Sequence, residues 1–251
     1  APDCVVMNVT VRSMKLHGGA FGDRGGIRPD KATLEAENIE ATSLGAKTNL
    51  DRHIRNMASF GVPVVVSINR FTSDTDAEVA AISQAAHESG ASSVCITEVH
   101  ARGGEGGKEL AEAVVKAVQN HVAAGRPFVP LFTPETDVLA KAEAIATRLY
   151  KADGLELTPK AKRELERIRS WGYGHLPVCM AKTQYSFSHD ASLLGAPTGF
   201  TVPVREFRLN AGAGFVVAVL GNMMTMPGLP KRPAALDMDM DEDGNLLGVF
   251  G

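Results

Sequence analysis

The run Val-Pro-Val-Val-Val-Ser-Ile-Asn at residues 62–69 constrains the fold more than any other feature. It is the clearest strand in the chain, dense in β-branched residues. Residues 75–89 then read as an Ala-rich amphipathic helix, 93–97 (SVCIT) as a second strand and 109–121 as a second helix. Strand and helix alternating at this spacing mean βαβ crossovers and a parallel sheet. Upstream, residues 4–11 (CVVMNVTV) form a near-continuous apolar run, as expected of a strand covered on both faces. A polar segment rich in Gly up to Gly26 follows, and Pro29-Asp30 precedes a helical pattern over 32–60, read as two helices parted near Gly45. Ligands of such sheets sit at the carboxyl ends of the strands. The loops after Val11, Asn69 and Thr97 are therefore the ones to watch.

The segment 126–130 (RPFVP) ends this pattern, and the texture then changes. Helices are expected at about 136–150 and 159–170, the second with Thr158 as N-cap and Pro159 in the first turn. Beyond Gly172 the pattern is strands: 201–209 and 215–220 around Ala-Gly-Ala-Gly, then 235–240 and 246–250 flanking the turn Asp243-Gly244. The expected fold class is α/β, with a parallel-sheet domain over 1–134 followed by an α+β C-terminal domain over 135–251.

Composition excludes several classes. A net charge of -3 gives no basic field for nucleic acid, and no apolar run is long enough to span a membrane. Three scattered cysteines, Cys4, Cys95 and Cys179, suit neither a zinc site nor a disulfide framework. They read as buried thiols in a reducing, cytoplasmic compartment. The chain opens almost at once on a strand, without an initiator Met, and reads as a segment of something longer.

Gly103-Gly104-Glu105-Gly106-Gly107-Lys108-Glu109 follows a strand and opens a helix, the context of a phosphate loop. The spacing fails: Arg102 stands where the first P-loop glycine belongs, and Glu109 where Ser or Thr should follow the lysine. A ligand-lining glycine loop and a plain tight turn both stay open. Asp239–Gly244 mimics a calcium loop, but Phe250 takes the place of its closing Glu, so an acidic hairpin face is expected. His17, followed by Gly18 and Gly19, could meet a ligand after the first strand. Asn69 and Asp74 at the end of the best strand could face a nucleotide base, or could be turn residues. The loop 223–233, stiffened by three prolines and ending on Lys231-Arg232, suits a site wall, an assembly contact or a structural corner.

Several strings occur together and in order: TVRSMKLHGG, NLDRHIRNMASFGVPVVVSINRFTSDTDAE, GGEGG, ADGLELTPKAK, GYGHLPVCMAKTQYSFS, REFRLNAGAGFVV and MTMPGLPKRPAA. By them the chain resembles the formate–tetrahydrofolate ligases from about Val5 to Phe250, covering only the C-terminal half of that family. The resemblance implies the remainder of a P-loop NTPase-like domain, with the P-loop itself upstream. It implies that ATP with Mg2+ converts formate to formyl phosphate, whose carbonyl is then attacked by N10 of tetrahydrofolate. Formate, ATP and tetrahydrofolate are the implied small-molecule partners, with the N-terminal P-loop half as a further partner, a monovalent cation as a further candidate ligand, and a homo-oligomeric assembly.

Residue by residue, Phe71 matches an aromatic that stacks on folate, and His100 stands where its partner is usually Trp. Thr72 replaces a frequent Pro. His17, Gly18 and Gly19 match a loop near formyl phosphate, and the TQYSFS and Pro227–Pro230 strings match without an assignable role. The implied function is ATP-dependent formylation of tetrahydrofolate, with this piece inactive alone because it lacks the phosphate cradle. The alternative is a non-catalytic folate-binding or assembly module. An independent nucleotide-binding protein is disfavoured, since nothing in the sequence gathers donors around a triphosphate.

Overall fold

The computed structural model describes residues 1–22, 29–221, 232–242, 244 and 246–247. They fall into two units, Ala1–Gly221 and Asn222–Gly251. The loop 223–233 singled out in the sequence lies, apart from residues 232–233, outside the described residues, as do Gly26, Asp243 and Phe250.

The first unit is mixed α/β with two sheets. Strand β1 (Val5–Val9) leads into helices α1 (Val11–His17), α2 (Lys31–Glu35) and α3 (Ile39–Gly45). A π-helical turn (Ala46–Leu50) carries α3 directly into α4 (Asp51–Ala58). Then come β2 (Val64–Asn69), α5 (Asp76–Glu88), β3 (Ser93–Thr97), the short α6 (Val99–Arg102), a 3-10 turn (Gly103–Gly107) and α7 (Lys108–Ala124). Strands β1, β2 and β3 form a wholly parallel sheet in that order, with Val9 beside Ile68 and Asn69 beside Thr97. Val64, Val66 and Ile68 face a core shared with α1, α4 and α5, while Val65 and Cys95 face α7. Burial on both faces is why β2 reads as an unbroken apolar run.

The later half adds α8 (Val138–Ala144), a second π-helical turn (Ile145–Leu149), β4 (Gly154–Leu157), α9 (Pro159–Ser170), β5 (Val178–Ala181), β6 (Thr201–Asn210) and β7 (Phe215–Leu220). Their sheet runs β4-β6-β7-β5, with β6 and β7 antiparallel and both outer pairs parallel. Its core joins Val138, Leu165 and Ile168 to Val202, Val204, Phe207 and Val216. In the second unit, β8 (Asp239–Met240) and β9 (Leu246–Leu247) pair antiparallel as expected. The strand expected over 235–240 is confined to its last two residues, with a 3-10 turn at Ala234–Leu236 before it.

Four further expectations need correction. The first strand stops at Val9, not Val11, because Thr10 and Ser13 form a reciprocal capping box that starts α1. The helical stretch 32–60 is interrupted at 36–38, and Gly45 lies inside a continuous helical run. That glycine serves close helix packing: a Cβ on it would stand 2.0 Å from the Met14 carbonyl oxygen. The strands β4 and β5 are additional to the expected elements, four residues each being too short to show a periodicity. Cys179 is exposed on an outer strand and Cys4 only half-buried, so Cys95 alone is a fully buried thiol.

Candidate site at the strand ends

The carboxyl ends of β1, β2 and β3 bring together the loops at 10–12, 70–75 and 98–107. Arg70 N–H donates to the Thr97 carbonyl (3.0 Å), extending the β2–β3 ladder one residue. The chain then folds back on itself. Asp74 N–H donates to the Phe71 carbonyl (3.0 Å), and Phe71 N–H donates to Asp74 Oδ2 (2.9 Å). Asp74 is 4% exposed, while the Phe71 ring is pushed outward to 39% exposure. The Asp74 carboxyl sits above its usual range because burial outweighs the help of the Phe71 N–H and the Arg12 charge. Its side chain is occupied in shaping the turn that presents Phe71. Asn69 ends β2 half-buried opposite Thr97.

Arg12 places its guanidinium carbon 4.3 Å from the centre of the Phe71 ring. Beneath this pair lies a buried ion pair, Lys15 Nζ to Glu78 Oε1 at 2.8 Å, with exposures of 1% and 0%. Lys15 also donates to the carbonyls of Ala36 (2.8 Å) and Leu34 (3.4 Å). Glu78 accepts from Asn38 N–H (2.8 Å) and closes the capping box of α5 with Thr75. One ion pair thus ties α1, the break at 36–38 and α5 together.

His100 sits on the single turn α6, exposed, and among the described residues no ring contact joins it to Phe71. In the glycine loop, Gly103 takes the left-handed φ of 58°, and a Cβ on Gly106 would lie 2.6 Å from the Glu98 carbonyl oxygen. The glycines permit a tight turn folded onto Glu98, whose N–H donates to the Gly106 carbonyl (3.1 Å).

His17 is carried away from the strand end by α1, roughly 10 Å long at 1.5 Å per residue. Its Nδ1 accepts from Gly195 N–H (3.2 Å). Gly18 packs on α3, where a Cβ would meet the Ala41 carbonyl oxygen at 1.8 Å, whereas Gly19 has open space and φ of 82°. The site residues named from sequence therefore divide. Asn69, Phe71 and Asp74 belong to the end of β2 and the turn after it, His100 to the next loop, His17 to the seam with residues 183–197, and Gly18 to the packing of α1 on α3.

That seam contains groups the sequence reading passed over. Arg52 donates to the carbonyls of Pro197 (2.8 Å), Ala196 (3.2 Å) and Tyr150 (3.3 Å), and Asn49 to that of Gly195 (3.1 Å). The His53 ring lies 4.4 Å from that of Phe187. In the TQYSFS segment, Ser186 and Ser188 bond to each other (2.9 Å) and to the carbonyls of Leu193 (2.5 Å) and Asp190 (2.9 Å). Lys182 Nζ donates to the carbonyls of Thr183 and Ser186. The segment is a self-bonded loop pinned to the α3–α4 run. Arg52 and His53 stand inside the string NLDRHIRN, but only their contacts reveal the role.

Burial, with the nearby His53, pushes His17 down to about 4. Its folded pKa is depressed, so between pH 6.5 and about 4 the unfolded chain binds a proton that the folded chain does not. Stability should therefore fall with pH across that window, by about 2–3 kcal/mol between pH 7 and 4.5. Urea titrations at both pH values should show the loss in the parent chain and a shallower one in His17→Gln. Equal losses would place the proton uptake elsewhere.

The whole-chain comparison decides the family. The family model for formate–tetrahydrofolate ligase matches residues 1–250. The chain belongs to the formate–tetrahydrofolate ligase family. It is 48% identical over 250 residues to the formate–tetrahydrofolate ligase of Symbiobacterium thermophilum, covering 99% of this chain. Against that of Roseobacter denitrificans it is 48% identical over 250 residues, and against that of Maricaulis maris 47% over 249. In each case it spans 42% of the relative's length. Among the described residues, no three His, Cys, Asp or Glu side chains gather as a metal site. No helix among them is long and apolar enough to cross a membrane.

Proposed function

We propose that this chain supplies the folate-facing strand ends and the C-terminal domain of an ATP-dependent formate–tetrahydrofolate ligase. The observation that carries the reading is Phe71. An aromatic ring held outward by a buried Asp74, at the carboxyl end of the middle strand of a parallel sheet, is a stacking platform where such sheets take ligands. In this reading residues 1–134 complete a P-loop NTPase-like domain and residues 135–251 form an α+β domain. Phe71 stacks the folate ring and His100 covers it from the neighbouring loop. Asn69 and Asp74 border the nucleotide side, and His17, Gly18 and Gly19 line the approach to formyl phosphate.

The chemistry needs two steps. A formate oxygen attacks the γ-phosphorus of ATP and ADP leaves, and then N10 of tetrahydrofolate attacks the formyl carbon, phosphate departs with the electron pair and the N10 proton is released to water. Converting a carboxylate oxygen into a phosphate leaving group, with reactants held in line, lowers the barrier without an enzyme nucleophile. Among the described residues no triphosphate cradle forms, and in this reading ATP, Mg2+ and any monovalent cation fall to the remaining length of the ligase. The working enzyme is a cytoplasmic homo-oligomer in this reading.

The test is 10-formyltetrahydrofolate formation from formate, ATP and tetrahydrofolate, by the chain alone and within the full-length protein. Activity is expected only from the full length. In it, Phe71→Ala should raise the KM for tetrahydrofolate roughly five- to 150-fold, the worth of one stacking contact, with the KM for ATP unchanged. An unaltered folate KM would remove Phe71 from the site. Folate binding without turnover by the full-length protein would favour a binding or assembly module.

A further inference from the structure

Arg12 differs from the other enclosed cations of the chain. Lys15 reaches a carboxylate and two carbonyls, Lys141 reaches the carbonyls of Pro134, His175 and Leu176, and Arg52 reaches three carbonyls. The guanidinium of Arg12 has the Phe71 ring beside it, feels the charge of Asp74, and has Glu35 as its one ion-pair contact among the described residues, at 4.0 Å, beyond hydrogen-bond reach. Its Nε is buried and has no acceptor among the described residues. Nearby carboxylates are committed elsewhere: Asp74 to the Phe71 N–H, Asp76 to Arg70 and Glu78 to Lys15. A buried donor left unpaired is costly, and where one persists it calls for a partner. An aromatic ring offers a guanidinium no lone pair in place of an oxygen, so the N–H groups stay available.

We propose that Arg12 is a ligand-binding residue of the strand-end site, donating through its guanidinium to an oxyanion of a substrate bound at Phe71. The position is the second residue after Thr10, where β1 hands over to α1, and so belongs to the same carboxyl-end rim as Phe71. The chemistry is that of arginine, a planar, weakly hydrated fork matched to carboxylate and phosphate oxygens. With a side-chain exposure of 33%, the fork is reachable from solvent. All three substrates of the reaction carry such oxygens. With the triphosphate of ATP assigned to the remaining length of the ligase, those left for this rim are the folate glutamate carboxylates and the acyl phosphate with its formate precursor. The inference rests on the reading of the strand ends as the substrate site.

The experiment uses the full-length ligase and compares the parent with Arg12→Lys, Arg12→Met and Phe71→Ala. Calorimetric Kd values for tetrahydrofolate, the primary amide of tetrahydropteroate and inorganic phosphate are measured beside steady-state KM and kcat, with melting temperatures as a check on folding. Arg12→Met should weaken one oxyanion ligand by about tenfold or more, and Arg12→Lys should recover part of it, since the charge returns without the fork. If the partner is the glutamate carboxylate, the defect appears with tetrahydrofolate and vanishes with the tetrahydropteroate amide, which carries no carboxylate. If it is the acyl phosphate, phosphate binding and the formate KM suffer, equally with either pterin. Unchanged Kd and KM for every ligand in folded Arg12→Met overturns the proposal, and so does a loss confined to melting temperature. The stacking reading is judged apart, by Phe71→Ala: a normal folate Kd there with an Arg12 defect present would discard stacking and keep the oxyanion contact.

Discussion

Gly45→Ala is expected to leave no cooperatively folded protein, or one destabilised by more than about 4 kcal/mol. Helices α1 and α3 meet backbone to backbone. A methyl on Gly45 would lie 2.0 Å from the Met14 carbonyl oxygen, and one on Gly18 would lie 1.8 Å from that of Ala41. Both obstacles are main-chain atoms inside helices, so no rotamer change relieves them and the helices must separate. Ordinary overpacking of a core costs about 1–3 kcal/mol, and here relief would disturb the hydrogen bonds of two helices as well. Gly104→Ala is the control, since a methyl there meets nothing within 4 Å. Circular dichroism melts of the three proteins settle it: a Gly45→Ala transition within a few degrees of the parent would refute the close contact. One consequence touches function. Gly18→Ala would fail for the same packing reason. Gly19, though a Cβ there meets nothing within 4 Å, sits at φ of 82°, where a side chain is strained. A loss of activity in either variant therefore says nothing about formyl phosphate.

Breaking the buried ion pair is the second large effect. Lys15→Met should lower stability by about 3–5 kcal/mol, because Glu78 would keep its burial and lose its counter-charge. Glu78→Gln should cost a similar amount. It strands the Lys15 ammonium with two carbonyls as its remaining acceptors. The double variant Lys15→Met, Glu78→Gln should be more stable than the sum of the singles implies, since no unpaired charge is left behind. Urea unfolding with a common m-value measures all three, and additive losses would mean the two groups act independently. Burial pushes the Glu78 carboxyl up, but the Lys15, Asn38 and Thr75 donors pull it further down, leaving it below its usual range. Its folded pKa being depressed, this contribution is present above the ordinary Glu range and fades as acid protonates the carboxylate.

Both effects bear on the site. The ion pair and the glycine crossing fix α1 against α3 and α5, and α1 carries Arg12 at its start and His17 at its end. A shift of α1 would move the guanidinium off Phe71 and His17 off the Gly195 N–H together. The strand-end face and the seam with residues 183–197 are therefore coupled through one short helix.

What the sequence determined by itself was local. The β-branched run of β2 showed the strand, the Ala-rich amphipathic pattern over 75–89 showed α5, and Thr158-Pro159 marked the start of α9. Each signal is a backbone preference, a local periodicity or a cap completed within four residues, so no distant partner is needed to read it. The family too was legible, because long ordered strings survive whatever the geometry around them. The tertiary structure alone decided the rest. It made Gly45 a packing glycine instead of a helix end, exposed Cys179 on an outer strand and added two four-residue strands. It paired Lys15 with Glu78, 63 positions along the chain, and set His17 against Gly195 instead of the strand ends. The alternation of apolar and polar residues records which side of an element is buried, but not which distant group covers it. Unpaired charges and missing methyls take their meaning only from that neighbour.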